Sequence, residues 1–291
     1  MIRDPLTGEA ALLGTTRSTR PDEYRAGREE RCAFCPGNEE LTPPEIARIG
    51  GNDYWTARAF RNKYPAIAPP HGDHEVIVDS REHTVSVTPD ALRLWRARYA
   101  AALEWAPQSY PVLFKNAGPF AGATIVHPHA QLIVLPVRPD RWPLQPADLP
   151  CAICAEREAS RERGLLVLEN EVAAAFVRES SRFSWTLSIA PHACAPSLLE
   201  SAEPEWLRVG ELVAAAIEAM HAPGAEPSFN LLVYSDPHAQ RGAFHWSIDV
   251  VPRTSTLAGF ELSTGMFIRG ATAQESAARW RRMIAPPDGS F

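Results

Sequence analysis

HPHAQLIVLP at His127–Pro136 and HWSIDVVP at His245–Pro252 are two stretches of the same form, and they carry the strongest signal of the fold. Each begins with a histidine, continues as an apolar run and ends at a proline. Short apolar runs of this length, bounded by proline, are typical of buried β-strands. Two strands of the same unusual form in one chain indicate an internal repeat.

The repeat extends around these two strands. Both halves contain, in the same order, a C-x-x-C pair, a strand, a histidine, a second strand and the histidine-headed strand. The first half has Cys32 and Cys35, HEVIVD, His83, PVLFKN and HPHAQLIVLP; the second has Cys151 and Cys154, SWTLSIAP, His192, FNLLVY and HWSIDVVP. The segment RPDRWPLQPADLP (138–150) holds four prolines and predicts a linker. We therefore predict an N-terminal module at 1–137 and a C-terminal module at 151–291.

Helices are fewer than strands in this pattern. The T-P-P-E sequence of Thr42–Glu45 predicts a short capped helix, and Asp90 predicts the cap of a long one. Pro204 predicts the first turn of a second long helix, and the T-A-Q-E of Thr272–Glu275 predicts a capping box before a C-terminal helix. The fold class expected is α+β, with a mostly antiparallel sheet and flanking helices.

Composition excludes several classes of protein. The chain has 29 basic and 35 acidic residues, a net charge of −6, which argues against general binding to nucleic acid or to a membrane surface. Its longest apolar runs are six residues, such as Val172–Val177, whereas a membrane helix needs about 20. The charged N-terminus, MIRDPLTGEA, does not have the form of a secretory signal. We expect a cytoplasmic protein.

The cysteine pairs predict metal sites. In a reducing compartment, C-x-x-C pairs indicate metal ligands or redox centres before structural disulfides. Two sets of four ligands suit tetrahedral, closed, structural zinc. The first set is Cys32, Cys35, His83 and His127, and the second is Cys151, Cys154, His192 and His245. The alternatives are a redox dithiol or unliganded core cysteines, and Cys194 is expected to be a buried bystander.

His127, His129 and Gln131 are spaced two apart, so they project from one face of a strand. If His127 binds zinc, the ion anchors the backbone beside His129 and leaves that imidazole free. A neutral imidazole is nucleophilic, and Gln131 offers an uncharged donor for a phosphoryl oxygen. The constellation fits a histidine that attacks phosphorus. The alternative is a pair of core histidines in a buried strand.

The combination of motifs resembles the galactose-1-phosphate uridylyltransferase family of the HIT (histidine triad) superfamily. The motifs are C-x-x-C-P-G-N-E (Cys32–Glu39), F-R-N-K-Y-P-A (Phe60–Ala66), N-x-G (Asn116–Gly118), HPHAQ and A-G-F-E-L (Ala258–Leu262). The resemblance implies two tandem HIT-like modules, a homodimer and a nucleotidylyl-histidine intermediate. It implies that His129 is the nucleophile and Gln131 its support, and it matches the first zinc set. The residues implied to contact the nucleotide or its phosphates are Arg17, Arg20, Asn62, Asn116 and Thr124.

The second half departs from the best-known form of the family. That form has histidine-x-histidine where this chain has His245-Trp246-Ser247, and a C-terminal sugar-phosphate glutamine is replaced by the stretch Leu262–Gly265. A subset with two C-x-x-C pairs, including nucleotide-sugar phosphorylases, is more similar. Ser247 and Asp249 stand where the first half has His129 and Gln131, so we predict one nucleophile per chain.

The expected function is transfer of a nucleoside monophosphate between a nucleotide sugar and a sugar 1-phosphate by a ping-pong mechanism, with UDP-glucose and galactose 1-phosphate as the model pair. One alternative is phosphorolysis of ADP-glucose by inorganic phosphate, and another is nucleotide hydrolysis. From a different class, the chain would be a zinc-stapled nucleotide-binding module without turnover.

Overall fold

The computed structural model describes residues 1–285 except 27–30, 52, 53, 85, 143, 147 and 222–226. Its architecture confirms the α+β class with a large antiparallel sheet. The strands are β1 Ile2–Arg3, β2 Ala10–Ala11, β3 Glu45–Gly50, β4 Trp55–Arg61, β5 Asp73–Val78, β6 Tyr110–Ala117, β7 His129–Leu135, β8 Leu166–Glu169, β9 Ala173–Phe176, β10 Leu187–Pro191, β11 Phe229–Tyr234 and β12 Ser247–Pro252. The helices are α1 Glu23–Ala26, α2 Pro89–Trp105, α3 Ala152–Glu162, α4 Glu203–Ala219, α5 Gly259–Thr264 and α6 Ala273–Ile284.

Ten of these strands form one continuous sheet, in the order β3-β4-β5-β7-β6-β11-β12-β10-β9-β8, and β1 pairs with β2 separately. The strands of the first half lie side by side, as do those of the second. The two sets meet where β6 pairs with β11, with Asn116 opposite Asn230. The two halves of the repeat thus share one sheet, while their division into modules at 137 and 151 stays a prediction.

The three longest helices cover one face of the sheet. Helix α2 packs on the strands of the first half, α4 on β9 and β10, and α6 on β8 and α4. Helices α2 and α4 also touch each other closely, because a Cβ added at Gly210 would lie 2.1 Å from Leu92 Cδ1. Trp206 Nε1 donates to the backbone oxygen of Leu92 at 2.8 Å and fixes this contact. One face of the sheet is therefore filled by a continuous apolar core.

Two helices begin where the sequence predicts, and the cap of a third lies two residues earlier than predicted. Helix α6 has the predicted capping box, in which Thr272 Oγ1 accepts from Glu275 N at 3.2 Å. Helix α4 carries Pro204 in its first turn as predicted. The cap of α2 is Thr88, whose Oγ1 accepts from Ala91 N at 3.1 Å, and not Asp90. Pro89 stands at the first helical position, where a missing N–H is harmless, so the helix begins earlier than predicted.

The short helix predicted from Thr42–Glu45 is wrong. Thr42 ends a 3-10 turn at Glu39–Leu41, and Glu45 begins the edge strand β3. Glu45 pairs with Phe60 of β4, and its carboxylate lies 2.6 Å from the Arg48 guanidinium. The two prolines favour extended backbone before the strand, and strand pairing overrides the local capping pattern.

The opposite face of the sheet is only partly covered. A small cluster of Trp55, Phe60, Val76 and Val78 packs there against Phe34, and in the second half Ala174, Phe176 and Ala190 pack against Ile153. Phe34 and Ile153 lie between the cysteines of the two C-x-x-C pairs. Beside each cluster this face opens into a cavity. No helix in the described part of the chain is long and apolar enough to cross a membrane.

Candidate active site

The larger cavity, of about 610 Å³, lies on the open face over β4, β5, β7 and β6. Its volume is in the range of small-ligand sites. Its lining includes every residue predicted to bind or attack the substrate: Arg17, Arg20, Asn62, Asn116, Thr124, His129 and Gln131. The positions are up to 114 residues apart in sequence. The sheet and the N-terminal arm, the segment before β3 that carries Arg17 and Arg20, bring them to one place.

His129 begins β7 and is held by a backbone hydrogen bond. Its Nδ1 lies 2.8 Å from the carbonyl oxygen of His127. A carbonyl only accepts, so Nδ1 carries the hydrogen and Nε2 keeps its lone pair. Phe34 packs edge-on against the ring, with centroids 5.3 Å apart. His129 is 7% exposed, and burial, opposed by the bond to His127, lowers its pKa. This is a fixed, neutral imidazole with one free nitrogen.

Gln131, two residues along β7, is oriented by His74. The His74 Nδ1 accepts from Ala66 N at 3.0 Å, so its Nε2 carries the hydrogen and donates to Gln131 Oε1 at 2.9 Å. Burial lowers the pKa of His74 to about 4, which keeps this ring neutral near pH 7. With its oxygen bound to His74, the Gln131 amide turns its NH₂ group to the other side. His74 also lines the cavity and was not predicted from the sequence.

Two arginines bring positive charge to the cavity from the N-terminal arm. Arg17 Nη1 donates to the backbone oxygen of Tyr64 at 3.2 Å. Burial and the neighbouring Arg20 lower the pKa of Arg17, so both guanidiniums lie in each other's field. Glu23 holds the arm in place, because its carboxylate accepts from Val126 N at 2.7 Å and its amide donates to Thr124 O at 2.8 Å. An anionic group is the natural partner of this pair.

The end of β6 and the loop that follows it carry two further predicted residues, Asn116 and Thr124. Asn116 Oδ1 accepts from Asn230 Nδ2 at 2.8 Å, a contact between the two halves of the sheet. Gly118 has φ +76°, and a Cβ there would lie 2.1 Å from Ser228 Oγ. Only glycine fits this close approach, which directs the loop that carries Thr124 over the cavity.

The first predicted metal set converges beside the cavity. The ligand atoms of Cys32, Cys35, His83 and His127 all lie within 4.8 Å of one another. His127 Nδ1 is 3.6 Å from Cys32 Sγ and 3.7 Å from Cys35 Sγ. Zn–S and Zn–N bonds in a tetrahedral site place sulfur and nitrogen about 3.6 Å apart. The donor set and these spacings fit a metal ion such as zinc.

His127 joins this cluster to the His129 ring. Its Nε2 donates to Ser80 O at 2.9 Å, which turns Nδ1 toward the cysteines, as is usual for metal-bound histidine. The backbone oxygen of the same residue accepts from His129 Nδ1. A metal held by His127 would therefore fix the group that orients His129.

The second cluster differs from the prediction in one ligand. The group that converges is Cys151, Cys154, Cys194 and His245, with His245 Nδ1 at 3.4 and 3.5 Å from the Cys151 and Cys154 sulfurs. His192 lies outside it, with Nε2 bonded to Asn170 O at 3.0 Å.

The geometry of β10 explains why Cys194 lies in the cluster and His192 does not. The amide of His192 donates to Val172 O at 2.8 Å, which extends the pairing of β10 with β9 by one residue, into the β8–β9 edge of the sheet. The imidazole therefore points to that edge, and the chain turns back toward the cysteines two residues later, at Cys194. Cys194 is a member of the cluster and not a bystander.

Beneath the candidate nucleophile lies a buried ion pair that the sequence did not indicate. Lys115 Nζ and Asp79 Oδ2 are 2.5 Å apart, and both side chains are 0% exposed. Asp79 Oδ1 also accepts from Trp95 Nε1 at 2.7 Å. Burial without a partner is costly for either charge, and a β-strand lysine gives no signal of its partner in sequence.

In the second half the corresponding strand offers no imidazole. Ser247 and Asp249 are buried on β12, and Asp249 accepts from Arg178 Nη2 at 2.8 Å and from Ser188 Oγ at 2.6 Å. The carboxylate is thus engaged by a cation and a hydroxyl. Nothing in this geometry activates Ser247 as a nucleophile.

Comparisons with known proteins find relatives along nearly the whole chain. The ADP-glucose phosphorylase of Arabidopsis thaliana is 23% identical over 97% of this chain and 92% of that protein. The galactose-1-phosphate uridylyltransferase of Thermotoga maritima is also 23% identical, over 96% of each chain. No protein-family model matches the chain.

Solved structures show the same fold. A uridylyltransferase structure superposes with a TM-score of 0.79 at 23% identity, covering 97% of both chains. The crystal structure of an ADP-glucose phosphorylase from Arabidopsis thaliana with bound ADP-glucose gives 0.76 at 21% identity, covering 96% of this chain and 97% of that one. These homologues confirm the resemblance to the galactose-1-phosphate uridylyltransferase family.

Proposed function

We propose that this homologue of the galactose-1-phosphate uridylyltransferases is a nucleotidylyltransferase that moves a nucleoside monophosphate from a nucleotide sugar to a phosphate acceptor through His129. The single observation that carries the proposal is the fixed tautomer of His129. Its Nδ1 hydrogen is bound to the His127 carbonyl at 2.8 Å, and its Nε2 stands on a cavity lined by two arginines. A free imidazole nitrogen beside an anion site suits attack on phosphorus.

In the first step Nε2 of His129 attacks the α-phosphorus of the nucleotide sugar. The new N–P bond forms as the bond from phosphorus to the bridging oxygen breaks, and sugar 1-phosphate leaves with that electron pair. The ring becomes positively charged as it is nucleotidylated, and the His127 carbonyl stabilises that charge through Nδ1–H. Arg17, Arg20 and the Gln131 amide bind the phosphoryl oxygens, since positioning and charge stabilisation supply most of such catalysis.

In the second step an oxygen of the acceptor phosphate attacks the same phosphorus. The N–P bond breaks, its electron pair returns to Nε2, and the imidazole is neutral again. The phosphoramidate is reactive enough to be handed on. His129 is the nucleophile of the first step and the leaving group of the second, and this covalent intermediate predicts ping-pong kinetics.

Zinc in the Cys32–Cys35–His83–His127 cluster would hold the His127 backbone and so the orientation of His129. We propose a second zinc on Cys151, Cys154, Cys194 and His245. Four protein ligands leave no open position, so both ions would be structural.

The acceptor divides the proposal into two candidates. The first is a sugar 1-phosphate, as in the uridylyltransferase relatives. The second is inorganic phosphate, which the phosphorylase relative and the presence of two cysteine-containing clusters favour. We also propose a homodimer, as the resemblance implies, and a cytoplasmic location; sedimentation of the purified chain tests the dimer.

Product analysis tests the proposal. The zinc-loaded protein is incubated with UDP-glucose or ADP-glucose, each with isotope-labelled galactose 1-phosphate or with phosphate, and products are identified by mass, since the label distinguishes galactosyl from glucosyl compounds. Formation of UDP-galactose supports the first candidate, and ADP or UDP with release of glucose 1-phosphate supports the second. The His129→Ala variant should give neither product.

Three outcomes would contradict the proposal. Equal turnover by wild type and His129→Ala would remove the nucleophile from the mechanism. Tight binding of nucleotide sugar without any exchange of labelled glucose 1-phosphate into it would indicate a binding module. Release of free nucleoside monophosphate alone would indicate a hydrolase.

A further inference from the structure

A second cavity, of about 370 Å³, lies on the same open face of the sheet, in the second half of the chain. Its floor is built by β11 and β12, where Leu232, Tyr234, Ser247, Asp249 and Val251 face it. The first cavity uses β6 and β7 in the same way. The repeat has therefore produced two cavities, of which the proposed transfer reaction uses one.

The charge of this second cavity is positive. Three arginines line it, Arg141, Arg178 and Arg182, against a single acidic residue, Asp249. Asp249 is occupied by Arg178 and Ser188, at 2.8 and 2.6 Å. Arg141 and Arg182 have no ion pair with a carboxylate in the described part of the chain. Two guanidiniums thus stand over the cavity without a protein anion to balance them.

The walls add aromatic surface and neutral donors. Phe183, Tyr234 and Phe244 line the cavity. Burial and the Asp249 carboxylate raise the pKa of Tyr234 to about 12, so its hydroxyl stays a hydrogen-bond donor at neutral pH. The first turn of α3 also faces the cavity, through Ala152 and Ile153. Guanidiniums beside aromatic rings suit a ligand with a phosphate at one end and a ring at the other.

The second cavity has no nucleophile at the positions that correspond to His129 and Gln131. Counting from the histidine that heads each strand, Ser247 stands at the place of His129, and Asp249 at that of Gln131. Ser247 has no general base beside it, since Asp249 accepts from Arg178 and Ser188. A bound phosphate ester would meet no nucleophile here.

We propose that this cavity is a second, non-covalent binding site for a phosphomonoester of a nucleoside or sugar, with its phosphate on Arg141 and Arg182. The ring of the ligand packs on Phe183 and Phe244. Each chain then binds two phosphate esters, one in each half, and only the first half transfers one.

Isothermal titration calorimetry tests this with AMP, glucose 1-phosphate and orthophosphate as probes, and adenosine as the uncharged control. Wild type should bind two equivalents per chain of AMP or glucose 1-phosphate, and no adenosine in the second cavity. The double variant Arg141→Gln/Arg182→Gln should weaken one equivalent by about 10-fold or more. The matched variant Arg17→Gln/Arg20→Gln should weaken the other. Whichever ester gives the tighter second equivalent identifies the ligand as a nucleotide or a sugar phosphate.

A third variant, Leu232→Trp, fills the cavity without changing charge and should remove the same equivalent. Zinc content and the melting temperature of each variant report its folding. One equivalent in wild type, or two equivalents retained in both the double arginine variant and Leu232→Trp, would overturn the proposal. None of these titrations depends on transfer to His129, so failure of the proposed function leaves the result readable.

Discussion

The hydrogen bond from His74 to Gln131 predicts a specific pattern of kinetic coupling. Gln131 Oε1 accepts from His74 Nε2 at 2.9 Å, which leaves the amide NH₂ to bind a phosphoryl oxygen. Gln131→Met removes that donor and should slow nucleotide transfer to His129 by about 10²–10³-fold, the usual effect of one oxyanion donor. His74→Phe keeps the donor but releases its orientation. A neutral hydrogen bond contributes about 0.5–1.5 kcal/mol, so we expect a loss of about 10-fold or less.

The double variant His74→Phe/Gln131→Met decides between orientation and an independent role. If His74 acts only through Gln131, the double variant is no slower than Gln131→Met, because there is no longer an amide to orient. The assay is a rapid-quench single turnover with nucleotide sugar, following release of sugar 1-phosphate. His71→Phe is the matched control, since His71 is exposed and lies outside the cavity lining; its rate should equal that of wild type.

The opposite result is a double variant whose rate falls by the product of the two single-variant losses, and it would show that His74 does not act through Gln131 alone. His74 would then contribute separately, through the loop that carries Ala66 or through direct contact with substrate. Zinc content and melting temperature distinguish a kinetic effect from partial unfolding.

Further predictions concern stability and metal content. His74 has a folded pKa of about 4 against 6.5 for a free imidazole, so its neutral burial stabilises the protein fully above pH 6.5, and that contribution is lost as pH falls toward 4. Urea unfolding should show wild type losing about 1 kcal/mol more than His74→Phe between pH 7.5 and 5.5; equal slopes would contradict the burial of a neutral ring. Metal analysis should find two zinc ions per chain in wild type and His192→Asn but one in Cys194→Ser; the reverse pattern would restore His192 as the ligand. Gly118→Ala should destabilise the fold by about 1–3 kcal/mol, because its φ of +76° and the 2.1 Å approach to Ser228 exclude a side chain; unchanged urea unfolding would show that the loop adapts.

Much of the sheet could be predicted because its strands carry strong local signals. FNLLVY is a strand at Phe229–Tyr234 as predicted, and HPHAQLIVLP contains β7 at His129–Leu135. The prediction of a helix at Thr42–Glu45 was wrong because a capping pattern reports only local sequence. Strand β3 is stabilised by pairing with β4, and a short stretch of sequence does not reveal that pairing.

The candidate active site was more predictable than the membership of the second cysteine–histidine cluster. His129 and Gln131 lie on one strand, so the strand period alone places them on one face. The fourth ligand of the second cluster depends on where the chain turns after β10, and Cys194 and His192 differ by two residues. Lys115 on β6 meets Asp79, which directly follows β5, and His74 reaches Gln131 across the β5–β7 pair. The spacing of these residues along the sequence does not predict such tertiary contacts.

In the proposed mechanism Nε2 of His129 carries the nucleotide. The most direct measurement is tandem mass spectrometry of the protein quenched in base after mixing with nucleotide sugar, since a phosphoramidate survives base and is lost in acid. We expect one nucleotidyl group per chain on the peptide containing His129, and none in His129→Ala. A nucleotidyl group on any other residue, or none in wild type while sugar 1-phosphate is released, would contradict it.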